Sequence, residues 1–345
     1  MSQSMRAIVI NGFGPPENLI IKTVPRPPAT LGTALIRIRA FGINHAEMHM
    51  RRGEWAESVP ISGIECVGTV EDCPGGEFAP GSAVAALMGG LGRSIPGTYA
   101  EYTVANVRNI ADLGENPPML PWPELAAIPE SYATAWTCLF RNLELENGQT
   151  LLIRGATSAF GRAAVNLAVE AGAIVTGTTR NKEMFQHLQS LGVSDPVIEG
   201  PDLPTRLRDE GKTVKFDRIL DLVGNITVVD SMSLAKRGGR VCLAGWLGGL
   251  DPIPGLPGVS GHAGFNPLLQ MASGVHFSFF GSFVFGNPEF PLTDVPLKSI
   301  VQSVRDGRFD ARPSRVFEFE QIQDAHRIME AGQANGKMVV VVDRE

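Results

Sequence analysis

Two hydrophobic rhythms run along the chain and change over near Pro123. Before it, short β-branched runs are broken by glycine and proline: "MRAIVI", "NLIIKTVPRP", "TALIRIRAFGIN", "IECVGTVEDC" and "AEYTVANVRNIADL". Such runs predict strands joined by irregular turns, and so a β-rich domain. After it, "PELAAIPESYATAWTCLFRNL" has helical spacing. Strands then alternate with helices through "QTLLIRGA", "FGRAAVNLAVEAG", "AIVTGTTR", "NKEMFQHLQSLG", "FDRILDLVG", "ITVVDSMSLAKRGG" and "RVCLAGW". This alternation predicts an α/β fold, a doubly wound parallel sheet with right-handed crossovers and helices on both faces. Residues 248–265 are rich in glycine and proline and predict a loop, followed by a short helix, "NPLLQMAS", and an apolar strand, "HFSFFGSFVFG". Helix and strand signals return in "VPLKSIVQSVRDGRF", "SRVFEFEQIQDAHRIMEAG" and "GKMVVVVD". The closing strand is expected to rejoin the first domain.

The first strand–turn–helix of the alternating region carries chemistry. Leu151, Leu152 and Ile153 end a buried strand, Gly155 permits a sharp exit, and Gly161 lets the helix pack closely on the sheet. Ala159 has only a methyl to intrude on a pyrophosphate, and Thr157 and Ser158 can cap the helix or donate hydroxyls to phosphate. The helix N-terminus offers free N–H groups and partial positive charge. With Ala156 and Phe160 these residues predict a dinucleotide cradle. The second strand ends in Thr178, Thr179 and Arg180, without the carboxylate that usually bonds the ribose 2′-OH of NAD. Arg180, with Thr178, Thr179 and the nearby Lys182, suits the extra phosphate of NADP(H). Gly224 lies at the carboxyl end of a later strand, where open α/β sheets bind ligands.

Composition narrows the class. The 345 residues suffice for about two domains, and 43% hydrophobic with 19% charged residues allows sizeable cores. A formal net charge of -6 without a basic block argues against nucleic acid and acidic membranes as partners. Cys66, Cys73, Cys138 and Cys242 are scattered, without a C-x-x-C pair, and read as buried thiols in a reducing cytoplasm. The start "MSQSMRAIVI" has no signal-peptide core, and no run reaches the ~18 apolar residues of a membrane helix.

In this order, the motifs resemble the medium-chain dehydrogenase/reductase superfamily over essentially the whole chain. The closest likeness is to its zinc-independent, quinone-oxidoreductase-like branch. The resemblance rests on "AFGINHAEMHMRRGEW", "PISGIECVGTVE", "ESYATAW", "NGQTLLIRGATSAFGRAAVNLAVEAGA", "GGRVCLAG" and "NGKMVVVV". It implies a GroES-like catalytic domain split around a Rossmann domain. The parts are residues 1–130, 131–286 for the NADP-binding Rossmann domain, and 287–345, with the active site in the cleft between domains. The zinc ligands of the superfamily's alcohol dehydrogenases fall on Asn44, Ile64 and the Ser131–Tyr132 region, which cannot replace them. His45 and His49, four apart with Glu47 and Glu65 nearby, are the alternative metal group; the expectation is no metal.

Without zinc, an unactivated ketone or alcohol loses its main catalyst, whereas a quinone or enone spreads the developing charge itself. The resemblance therefore implies an NADPH-dependent, zinc-independent reductase of quinones or α,β-unsaturated carbonyls. By the same resemblance Asn44 contacts the nicotinamide end or the substrate oxygen, and Thr134 bonds the nicotinamide. Leu243, Ala244 and Gly245 present backbone to it. Ser282, Asn335 and Lys337 complete the cofactor set. Glu65 braces the cleft. Tyr132 is either a proton donor or a packing residue. A homodimer is expected, with "HFSFFGSF" pairing edge to edge. Departures from the family pattern include Met184 at a usual lysine position and Glu199–Gly200 where a tyrosine often stands. The alternatives are an NADPH-binding protein with a structural or regulatory role and an alcohol dehydrogenase-like enzyme.

Overall fold

The β-branched runs at the start of the chain become strands because every second residue finds an apolar face to bury. The computed structural model describes residues 3–55, 57–114, 120–249 and 271–342. It divides into two units, Met1–Ala133 with Ser282–Glu345, and Thr134–Gly281.

In the first unit, β1 (Ser4–Ile10) and β2 (Leu19–Pro25) pair as an antiparallel ribbon. The larger sheet takes β3 (Thr33–Ile43), β4 (Glu65–Asp72), β5 (Ala83–Leu87), β6 (Tyr102–Asn106) and β7 (Ile110–Gly114). Helix α1 (His45–Arg52) follows β3 directly, with Asn44 as the junction. Helices α2 (Trp122–Leu125) and α3 (Pro129–Trp136) lead out of this part of the chain.

The second unit is a parallel sheet of β8 (Thr150–Arg154), β9 (Ile174–Thr179), β10 (Asp195–Ile198), β11 (Phe216–Asp221), β12 (Ala235–Leu243) and β13 (His276–Phe279). Their spatial order is β10-β9-β8-β11-β12-β13, reversing between β8 and β11 as in a doubly wound fold. Helices α4 (Ala159–Glu170), α5 (Phe185–Ser190), α6 (Leu203–Asp209) and α7 (Val228–Leu234) connect the strands. Leu152, Ile219 and Val241 on the central strands are fully buried, as strands need to be when helices cover both faces.

The chain then returns to the first unit. Strand β14 (Arg315–Glu318) pairs with β15 (Met338–Val341), and β15 runs antiparallel to β3, giving the order β14-β15-β3-β4-β5-β7 with β6 on β3. The chain thus joins a GroES-like β domain to a Rossmann sheet. No helix among the described residues is long and apolar enough to cross a membrane.

Two expectations need correction. The helix read through "AKRGG" stops at Leu234, because Ala235 already pairs with Phe216 and a register shift carries β12 on to Arg240. The strand read through "HFSFFGSFVFG" ends at Phe279, the last residue in register with β12, and the chain then makes a 3-10 turn at Ser282–Val284. The short helix "NPLLQMAS" and most of the 248–265 loop lie outside the described residues.

Candidate functional site

In the second unit the nucleotide turn is built from close backbone approaches. Gly155 leaves β8 at φ +83°, a conformation that costs glycine little. Ser158 is the N-cap of α4, its hydroxyl accepting the Gly161 N–H at 2.9 Å. A Cβ on Gly161 would collide with the Gly155 carbonyl oxygen and the Ala156 backbone, so turn and helix close only around a glycine. The N–H groups of Ala159 and Phe160, in the first turn, have no acceptor within the helix. Ala156 N donates to Thr178 O at 2.9 Å, and the Thr157 and Thr179 hydroxyls lie 3.3 Å apart. The residues from Ala156 to Gly161 are thereby brought beside the end of β9.

Arg180 and Lys182 follow that strand end. Both are exposed, and neither side chain makes a hydrogen bond or ion pair with a described residue. Thr178 departs from expectation. It is fully buried, accepts the Gly155 N–H at 3.0 Å and donates its hydroxyl to Glu199 Oε2 at 2.6 Å. A hydroxyl has one proton, and this one is spent, so Thr178 supports the turn and cannot also donate to a cofactor phosphate.

Arg154 and Glu199 form a pair that local sequence patterns do not reveal, Glu199 standing there only as a departure from the family pattern. Arg154 is fully buried and donates from Nε and one terminal nitrogen to the Glu199 carboxylate. Burial disfavours the guanidinium charge, but the hydrogen bonds donated to Glu199 and the nearby charges of Glu199, Asp221 and Asp230 together outweigh it and raise the pKa. Burial also works against the Glu199 carboxylate, and Arg154 overcomes it, leaving that pKa below the usual value. The signal available was a charged residue at the end of an otherwise apolar strand, "LLIR".

Beyond β11 and β12, Gly224 (φ +109°) and Gly245 pack backbone to backbone. A Cβ on Gly224 would stand 2.9 Å from Gly245 O, and one on Gly245 would stand 2.7 Å from Leu222 O. Leu243 and Ala244 are buried beside them, with Ala244 N on Asp221 O at 3.0 Å. Thr134 is buried in α3.

In the first unit, Asn44 heads a buried polar cluster. Its backbone N–H donates to Glu47 Oε2 at 2.7 Å, closing the first turn of α1. Its side-chain Nδ2 donates to Glu65 Oε1 at 2.9 Å, and its Oδ1 accepts from Lys337 Nζ at 2.6 Å. Lys337 also pairs with Glu65, and both are buried. Glu65 Oε2 accepts the Glu130 N–H at 2.9 Å. A Cβ on Gly42 would collide with the Glu65 carboxylate and the Lys337 stem. Glu47 accepts the Ile64 N–H at 3.1 Å, and burial pushes its carboxyl up to about 7, Lys337 and the backbone N–H groups opposing.

The cluster joins three positions read separately in the sequence, Asn44, Glu65 and Lys337. The Lys337 ammonium donates to Glu65 and Asn44 in the interior, and so fixes Asn44. Tyr132 is buried and stacks on Phe309 at 5.9 Å, a placement that favours packing over proton donation. Ser282 starts a 3-10 turn, and Asn335 takes a left-handed conformation (φ +49°) two residues before Lys337. His49 pairs with Glu54 and stacks on Trp55. Among the described residues no group of three His, Cys, Asp or Glu side chains is placed to hold a metal.

Comparisons with known proteins agree with this layout. Residues 30–115 match the model of the alcohol dehydrogenase GroES-like domain, and residues 194–340 match that of a zinc-binding dehydrogenase domain. The quinone oxidoreductase of Lama guanicoe is 26% identical over 259 residues, 72% of this chain and 76% of that protein. The crystal structure of AibC superposes with a TM-score of 0.82 at 24% identity, covering 100% of this chain and 97% of the other. Mycobacterial Rv1454c, solved as a complex with NADPH, gives a TM-score of 0.81 at 21% identity over 98% of this chain and all of the other.

Proposed function

The chain belongs to the medium-chain dehydrogenase/reductase superfamily, in its quinone oxidoreductase-like branch, and from that premise we propose that it is an NADPH-dependent, zinc-independent reductase of quinones or α,β-unsaturated carbonyls. Members are nicotinamide-dependent oxidoreductases. The finer reading rests on one observation: two exposed cations whose side chains have no described partner, Arg180 and Lys182, follow β9 beside the glycine turn.

The residues present fit the cofactor. The turn from Gly155 to Gly161 leaves backbone N–H groups for a pyrophosphate, and Gly224 and Gly245 keep the neighbouring loops free of side chains. Arg180 and Lys182 would pair the 2′-phosphate. NADP(H), when bound, gives or takes a hydride; binding, orientation and electrostatics fall to the chain.

The Asn44 cluster supports chemistry without a metal. Lys337 places a cation 2.6 Å from Asn44 Oδ1, the side-chain oxygen a divalent ion would use. Asn44 is thus a fixed dipole: one Nδ2 proton goes to Glu65, and the other has at most a weak contact, Nδ2 lying 3.4 Å from Glu47 Oε1. That second N–H is the group we assign to an acceptor oxygen. A conjugated acceptor suits so modest a donor, because its own π system carries most of the developing charge.

We assign pairing of two copies to β13, an edge strand of its sheet among the described residues, with Phe277 and Phe279 about half exposed. Sedimentation at several concentrations tests this; a monomer throughout would refute it. The activity is tested by following NADPH oxidation against a panel of quinones, enones and simple ketones, with metal analysis of the protein used. Turnover of quinones or enones by metal-free protein is expected. NADPH binding with no turnover on any acceptor would favour the structural or regulatory alternative.

A further inference from the structure

The nucleotide edge contains a carboxylate as well as cations. Glu199 follows β10, and its N–H donates to Thr179 O at 2.8 Å, which sets it next to the strand end that carries Arg180. An acid free at that edge would pair Arg180, repel a 2′-phosphate and accept a bond from a ribose 2′-OH.

Here the acid is turned inward and fully occupied. Its Oε2 takes Arg154 Nε at 3.1 Å and the Thr178 hydroxyl at 2.6 Å; its Oε1 takes the Gly200 N–H at 3.0 Å and a terminal Arg154 nitrogen. Arg154 spends its other donors on Thr227 O at 3.1 Å and Ser231 Oγ at 3.3 Å, and Ser231 donates to Asp221 Oδ2 at 2.6 Å. One buried guanidinium thereby ties together the carboxyl ends of β8, β9, β10 and β11, facing Glu199, Asp221 and Asp230. The planar fork matters, since a lysine offers no bidentate grip.

We propose that Arg154 is a positioning residue for cofactor choice: by clamping the Glu199 carboxylate inward it leaves Arg180 and Lys182 to the 2′-phosphate of NADP(H). The inference rests on the NADP(H) reading above. Without Arg154, Glu199 has no buried counter-ion and its stable place is outward, against Arg180. The edge would then resemble that of an NAD-binding protein, with an acid for the ribose hydroxyl.

The test compares wild type, Arg154→Met, Glu199→Gln and the double variant. Affinities for NADPH and NADH, and for the fragments adenosine 2′-monophosphate and adenosine 5′-monophosphate, are measured by calorimetry, so no acceptor substrate is needed. Arg154→Met should lower the NADPH:NADH affinity ratio at least tenfold and lose most binding of the 2′-phosphate fragment. Adding Glu199→Gln should restore both. Glu199→Gln alone should keep or raise the ratio, and this holds as a separate test if Arg154→Met does not fold. Equal loss of both cofactors in Arg154→Met, or no rescue in the double variant, would overturn the proposal and leave Arg154 a structural residue. No preference for NADPH in wild type would instead sink the NADP(H) reading, and this inference with it.

Discussion

The ammonium of Lys337 holds the side-chain oxygen of Asn44 at 2.6 Å, joining positions 293 residues apart. The amide is thereby set in one orientation, oxygen to the cation and nitrogen to Glu65. Asn44 presents a direction to its surroundings, and the direction depends on a residue near the other end of the sequence.

Replacing Lys337 by methionine should therefore be costly. Glu65 would be left buried without its counter-ion, and breaking a buried pair from one side typically costs about 3–5 kcal/mol. Denaturant unfolding should show a loss of this size. The double variant with Glu65→Gln should recover part of it; a loss under about 1 kcal/mol for Lys337→Met would show that the pair does not bear on stability.

Stability should also fall across the weakly acidic range because of Glu47. Its carboxyl is pushed up to about 7 from an ordinary 4.5, so between those values the folded chain holds a proton that the unfolded chain has released. The associated stability is full below about 4.5 and is lost as pH rises through about 7, a change of roughly 3 kcal/mol. Glu47→Gln should flatten this slope while lowering the baseline, because the Asn44 and Ile64 N–H groups bond different oxygens of Glu47 and an amide puts an NH2 donor in place of one of them. A slope unchanged by the substitution would assign it to another group.

At the nucleotide edge, Arg180→Ala should weaken NADPH much more than NADH. Charge-assisted bonds are each worth about 1.5–3 kcal/mol, so the NADPH:NADH affinity ratio should drop tenfold or more. Equal weakening of the two cofactors, measured by fluorescence titration, would rule out contact with the 2′-phosphate.

The closed turn gives a prediction of opposite selectivity. Gly161→Ala would drive a methyl into the Gly155 carbonyl, moving the N-terminus of α4 off the strand. Binding of NADPH and NADH should fall together, with a lower melting temperature. Retention of both would mean that the turn relaxes without cost.

The sequence made the two rhythms, the glycine turn and the Arg180 cations legible because each is local: periodicity, a small residue at a tight bend, a charge at a strand end. It could not show which polar groups satisfy one another. Thr178 and Lys337 look like free donors in the sequence, since a hydroxyl or ammonium near a site has no visible partner there. The partners, Glu199 and Glu65, come from distant positions. Arg154 escaped notice for the same reason: a charge at the end of an apolar strand has no meaning until Glu199 and Ser231 are seen around it.

The antiparallel pairing of β15 with β3 also sets an order of events. During synthesis the Rossmann unit, Thr134–Gly281, is complete before Lys337 exists. It can form its parallel sheet while the first unit still waits for its closing strands and Glu65 has no counter-ion. The parallel-sheet half is thus free to mature early, whereas Asn44 acquires its fixed orientation only once the stretch that carries Lys337 has been made.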